Sequence, residues 1–149
     1  MICLMNRNEY WQRSGVMISG RCECGRIRFE VDGDINDFSH CHCSQCRRLH
    51  GAAYATFAAV ARGKFRYISG ETDIKAFASS KSSARVFCGE CGSNIMVALE
   101  DEPNTLYLSM GAIDGDPPHP PGYHIYVGSK APWHEITDGL PQYDAEPSA

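Results

Sequence analysis

An all-β domain of mainly antiparallel sheets, with little helix, is the fold class this sequence predicts, and three observations carry the prediction. Short segments of alternating or β-branched residues recur along the chain. Gly, Asp or Ser interrupts nearly every gap between them, and no amphipathic run reaches about a dozen residues. The 149 residues are the size of a single domain with a modest core.

The first two strands are VMISGRCECG and RIRFEV, joined by a turn at Cys24-Gly25. Ile27, Phe29 and Val31 alternate there with Arg26, Arg28 and Glu30, so one face of the hairpin is buried. A short helical turn is expected over Gln45 to His50. Strands then follow at YATFAAV from Tyr54, KFRYIS from Lys64, DIKAFAS from Asp73, ARVFC from Ala84, NIMVALE from Asn94 and TLYLSMG from Thr105. Asp114 to Pro121, DGDPPHPP, is a stiff loop, because four prolines fix φ and remove backbone donors. YHIYVG is the last strand, and KAPWHEI a turn into a short extended piece. Residues 1–16 fit the sheet pattern poorly and are expected to form a flexible extension, residues 17–143 the folded domain, and residues 144–149 a loose tail.

Seven of the eight cysteines fall into three clusters: Cys22 and Cys24 in GRCECG, Cys41, Cys43 and Cys46 in HCHCSQCR, and Cys88 and Cys91 in FCGECGS. Disulfides are the first alternative, yet partners two or three residues apart have poor geometry for bridging each other. The N-terminal segment has no apolar stretch of signal-peptide length, and nothing in the chain approaches a membrane-spanning run. A reducing cytoplasm is the expectation, and there these spacings read as zinc ligands. Cys3 stands outside every cluster, as a lone thiol in the N-terminal extension.

A closed tetrahedral site takes four thiolates, and the three that remain equal the protein ligands of a zinc with one open position. Zinc-bound sulfurs sit about 3.8 Å apart when Zn–S is about 2.3 Å, so the tight loop of Cys41, Cys43 and Cys46 can supply all three. Cys22, Cys24, Cys88 and Cys91 then form a structural site of the zinc-knuckle type. Its closure of a long loop removes unfolded-state entropy. A rival partition joins the first two clusters and leaves Cys88 and Cys91 to share a metal with Cys46. The second metal, on three thiolates of one small loop, is expected to be the more labile.

The formal charge is −4 before thiolates are counted, which disfavours bulk nucleic-acid binding. Neither nucleic acid nor membrane is an expected partner. Arg47 and Arg48 follow the second cluster, and read either as contacts to a substrate carboxylate or as solvated charges offsetting an anionic metal site. His42, between two ligand cysteines, should point away from their metal. His40 and His50 are expected to make local hydrogen bonds, with a base or fourth-ligand role as the alternative. Tyr54 and Phe57 are expected in the core.

GRCECGRIRFEV, CHCSQCRRLHG, RVFCGECGSNI and HIYVGSKAPWHEITDGLPQY resemble the successive signatures of the glutathione-dependent formaldehyde-activating enzyme family, which includes centromere protein V. The resemblance runs from about Gly20 to Tyr143. It implies a β-tent fold, also found in zinc-binding chaperones of Rab GTPases. It further implies a structural zinc on Cys22, Cys24, Cys88 and Cys91 and a catalytic zinc on Cys41, Cys43 and Cys46. The implied reaction is that of a carbon–sulfur lyase in the adduct-forming direction, joining glutathione to formaldehyde to give S-hydroxymethylglutathione. On this pattern the glutathione thiol takes the open zinc position and attacks the aldehyde carbon. His124, Trp133 and His134 lie in the last signature, where the resemblance implies structural closure near the site. The alternative function is a non-catalytic zinc module for protein interaction or adduct carriage. Retention of the three-cysteine loop favours the enzyme.

Overall fold

The computed structural model describes residues 16–148. The extension expected over residues 1–16 therefore lies, apart from Val16, outside the described residues, and so does Cys3. The strands are β1 Met17–Arg21, β2 Arg28–Asp32, β3 Asp37–Cys41, β4 Ala55–Ala61, β5 Phe65–Ser69, β6 Ile74–Ala78, β7 Ser83–Cys88, β8 Asn94–Leu99, β9 Thr105–Ser109 and β10 Tyr123–Ile125. One α-helix, α1 Ser44–His50, stands among the described residues beside single-turn 3-10 segments. The expected all-β class holds.

Every strand expected from the sequence is present, and β3 is an addition. Its residues, DFSHC, carry no β-branched side chain. Pairing on both sides makes the strand: β4 runs antiparallel to it and β10 parallel. Tertiary partners override weak local preference here.

Two sheets result. The smaller has the order β1-β2-β5, and the larger β10-β3-β4-β9-β8-β7-β6. All pairs are antiparallel except β10 with β3. Ile18, Ile27, Phe29 and Val31 of the small sheet and its turn pack against Ala58, Val60, Ile95, Leu106 and Leu108 of the large one. This inter-sheet layer is the main core, and fully burying residues such as Phe29 or Leu108 contributes roughly 1.5–3 kcal/mol each.

The large sheet is covered on its other face too. Cys41, Cys46, Ala55, Phe57 and Val97 form a second buried cluster there, with Leu99, Tyr107, Ile125 and Tyr126 at its margin. That double burial explains why β4, ATFAAVA, reads as a continuous apolar run rather than an alternation. The strand divides a core from a site.

Candidate metal centres

Two hairpin turns bring four thiols together. Cys22 and Cys24 lie in the turn from β1 to β2, where Gly25 takes φ +75° and its N–H bonds the Cys22 carbonyl at 3.1 Å. Cys88 and Cys91 lie in the turn from β7 to β8, where Gly92 takes φ +78° and bonds the Cys88 carbonyl at 2.9 Å. Only glycine adopts this left-handed backbone without strain, and it lets each loop curl around its sulfurs. The four Sγ atoms lie within 4.8 Å of one another, with Cys22 to Cys24 at 3.4 Å and Cys24 to Cys88 at 3.8 Å.

Tetrahedral thiolates around zinc would stand about 3.8 Å apart, so this spacing already fits a metal cage. The Ile27 N–H donates to the Cys22 sulfur at 3.3 Å, which stabilises its thiolate form. A hydrogen bond from Ser93 pulls Cys91 down to about 5. Cys22 and Cys88 are buried while Cys24 and Cys91 are exposed, so the cage sits at the rim where the two sheets meet.

The other three thiols, Cys41, Cys43 and Cys46, also lie within 4.8 Å of one another. Cys41 ends β3 and Cys43 caps α1, its sulfur accepting the Cys46 N–H at 3.3 Å. Cys41 and Cys46 are buried, and Cys43 is the half-exposed member. The structure thus groups the seven thiols as four and three, with Cys46 apart from Cys88 and Cys91. Close packing sets the three against each other: contact with Cys41, then Cys46, pulls Cys43 strongly down, and contact with Cys43 pushes Cys41 strongly up. Three thiolates this close repel, and a thiophilic cation between them removes the conflict.

All three line a cleft of about 530 Å³ on the outer face of the large sheet. Phe57, Val97, Leu99 and Ile125 give it an apolar wall. Its polar rim is acidic, where Tyr123 donates to Asp37 at 2.6 Å and Tyr107 to Glu102 at 2.5 Å. Glu146 and Pro147 also line it, and the Ala145 carbonyl accepts the Tyr126 N–H at 3.3 Å.

Arg85, which no local motif singles out, is the cation at this site. It is 9% exposed, and its guanidinium donates to Cys46 Sγ at 3.5 Å, Gln45 Oε1 at 2.8 Å and Ser79 Oγ at 3.1 Å. Arg47 and Arg48 do not line the cleft. Helix α1 leaves Arg48 at an exposed position and Arg47 at a half-buried one.

His42 points to the opposite face of β3, because alternation along the strand places it with Phe38 and His40 rather than with Cys41 and Cys43. Its ring is fully buried, and its Nε2 lies 2.8 Å from His124 Nδ1. His124 Nε2 in turn meets the Asp138 carboxylate at 2.9 Å. Burial, then His124, pushes His42 down to about 4, so the ring is neutral at pH 7. The Leu140 N–H and His124 hold Asp138 below the usual carboxylate range.

The remaining candidates scatter. His40 bonds Thr56 at 2.9 Å, a local role as expected. His50 and Tyr54 line a second cavity of about 510 Å³, with Tyr54 half-buried beside His42 rather than in the core. Phe57 is buried as expected, yet it also walls the cleft. His124 is 1% exposed, whereas Trp133 is 71% exposed with its ring edge-on to that of His134. His134 packs beside His42 and Tyr54.

Comparison with known proteins gives concordant results. A Schizosaccharomyces pombe protein described as an uncharacterised lyase is 24% identical over 96 residues, which are 64% of this chain and 68% of that protein. A crystal structure of a Rhodobacter sphaeroides protein superposes with a TM-score of 0.57 at 23% identity, covering 67% of this chain and 91% of that one. That likeness supports the fold. The profile of the glutathione-dependent formaldehyde-activating enzyme family matches residues 17–129, most of the sequence, and this chain therefore belongs to that family.

Proposed function

We propose that this protein is a zinc-dependent carbon–sulfur lyase working in the adduct-forming direction, which joins glutathione to formaldehyde to give S-hydroxymethylglutathione. The observation that carries this reading is the three-thiol cluster of Cys41, Cys43 and Cys46, set in the wall of a cleft of about 530 Å³ and separate from the four-thiol cage. A purely structural module needs only the cage. The family description and the lyase named among its relatives support the same reaction class.

Cys22, Cys24, Cys88 and Cys91 would hold one zinc, and Cys41, Cys43 and Cys46 a second. When bound at three thiolates, zinc supplies an electron-rich centre with an open position, suited to activating a thiol more than to strong Lewis acidity. Arg85 places a fixed positive charge against Cys46 and offsets the negative charge of the cluster. The apolar wall of Phe57, Val97, Leu99 and Ile125 gives the reacting atoms one side without hydrogen-bonding groups. In the reaction the thiol sulfur forms the new C–S bond, the carbonyl π bond breaks, and the thiol proton ends on the hydroxyl oxygen of the adduct. No electron acceptor is needed. The metal-ligand spacing of the cysteines supports a reducing compartment, the cytoplasm.

The test is metal content together with exchange. Zinc per chain is measured with and without glutathione, and formaldehyde–adduct exchange is followed by NMR for wild type and Cys43→Ser. Faster exchange in wild type than in Cys43→Ser supports the reading, and equal exchange in the two removes the three-thiol cluster from the mechanism. The cage should keep its zinc when the cluster loses its own.

A further inference from the structure

Asp138, His124 and His42 form a chain of side chains that runs from the surface to the middle of the three-thiol loop. We propose that this chain positions the loop, Asp138 and His124 acting through His42 to set where the sulfurs of Cys41 and Cys43 point. The inference rests on the reading of Cys41, Cys43 and Cys46 as a metal-holding cluster.

With both rings neutral, these contacts allow one arrangement of protons. The Asp138 carboxylate only accepts, with oxygens 2.9 and 3.2 Å from His124 Nε2, so that nitrogen carries the proton. His124 Nδ1 is then a lone pair, and it accepts from His42 Nε2–H across 2.8 Å. Each ring orients the next. The main chain reinforces the same contact, since the His42 N–H donates to the Ile125 carbonyl at 3.0 Å and His124 pairs with His40 in the parallel β10–β3 ladder.

Position gives the chain its leverage. His42 lies between Cys41 and Cys43, so any rotation of its backbone swings both sulfurs on the opposite face. The ring has little freedom to allow this, being fully buried and packed on Tyr54, His124 and His134. His42 Nδ1 is buried with no hydrogen-bond partner among the described residues. That unpaired atom disfavours burying this ring for its own sake, so the bond through Nε2 is what holds it. Asp138, by contrast, has a side chain 45% exposed, so substituting it leaves the core packing intact.

The experiment uses Asp138→Ala, the conservative Asp138→Asn, and His124→Phe. Two readouts are taken with zinc kept in the four-thiol cage. The first is the iodoacetamide alkylation rate of Cys43 in the metal-free cluster, followed by peptide mass spectrometry. The second is a Co²⁺ titration of the cluster, read by its visible absorption. Loss of an outer hydrogen bond to a metal ligand's support typically changes affinity by about 10–100-fold. Asp138→Ala should therefore weaken Co²⁺ binding about tenfold, shift the absorption band and accelerate Cys43 alkylation, with His124→Phe doing the same. Asp138→Asn, which keeps an acceptor oxygen for His124, should restore all three. Wild-type behaviour in both Asp138→Ala and His124→Phe would overturn the proposal, as would a defect in Asp138→Ala that Asn fails to restore. If the wild-type cluster takes up no Co²⁺, the metal reading of the cluster falls, while the alkylation rates still decide whether the chain positions the loop.

Discussion

Replacing Arg85 by Met keeps an unbranched stem about as far as Nε and removes three donors from a site that is 9% exposed. The bonds at 2.8 and 3.1 Å to Gln45 and Ser79 are charge-assisted and well formed, and hydrogen bonds to a charged group contribute about 1.5–3 kcal/mol each. The 3.5 Å contact to Cys46 is of ordinary length for sulfur, a weaker acceptor than oxygen, and adds less. Methionine returns part of this through apolar packing, so the net loss should be about 3 kcal/mol. For a chain of 149 residues that corresponds to roughly 6–12 °C in Tm. Urea denaturation of wild type, Arg85→Met and Arg85→Lys, at one fixed free zinc concentration, reads the difference. Lysine restores the charge without the planar fork and should recover less than half of the loss. A value within about 0.5 kcal/mol of wild type for Arg85→Met would refute the reasoning, since surface changes alone fall in that range.

Gly70 and Gly115 provide a matched pair. Both hold positive φ, +76° and +72°, but a Cβ at Gly70 would press on the Arg26 carbonyl oxygen while one at Gly115 would meet nothing within 4 Å. Gly115→Ala should cost about 1–2 kcal/mol for backbone strain alone, and Gly70→Ala clearly more; equal losses in thermal unfolding would contradict the packing around the first hairpin. Stability should also fall in mild acid on account of His42. Its folded value of about 4 lies below the ordinary 6.5, so its contribution is complete above pH 6.5 and is lost as pH falls toward 4. The full amount is on the order of 3 kcal/mol. Wild type should therefore lose stability to urea faster than His42→Asn between pH 7 and pH 5, and parallel slopes would count against a neutral buried imidazole.

Much of this architecture was readable because its signals are local. Alternation in RIRFEV and the apolar runs of β4 and β8 mark strands by their own residues, and glycines after Cys24 and Cys91 mark the turns that carry the cage. What escaped the sequence depends on distant partners. Strand β3 offers Asp, Ser and His to a solitary reader, and becomes a strand because β4 and β10 flank it. Arg85 stands in ARVFC like any solvent-facing member of an alternating strand, until α1 closes over it with Gln45 and Cys46. Arg47 and Arg48 drew notice by lying next to the cysteines, but a helix turns sequence neighbours outward within a residue or two. A buried arginine beside a crowded set of thiolates was foreseeable from charge balance, and its position was not. The bond between His42 and His124 spans 82 residues and leaves no local trace in either segment.

On a ribosome the two thiol groups would come of age at different times. The four-thiol set is complete once Cys91 has emerged, and from that moment it can fasten the first hairpin to the end of β7, with β8 and β9 still to come. Strand β10, whose parallel pairing with β3 braces the other set, begins about 30 residues later, roughly 2–6 s at a synthesis rate of about 5–20 residues per second. During that interval Cys41, Cys43 and Cys46 are out in the cell without Ile125 or His124 beside them. Topology alone thus gives the nascent chain a schedule, in which the clasp forms first and the reactive loop is finished last.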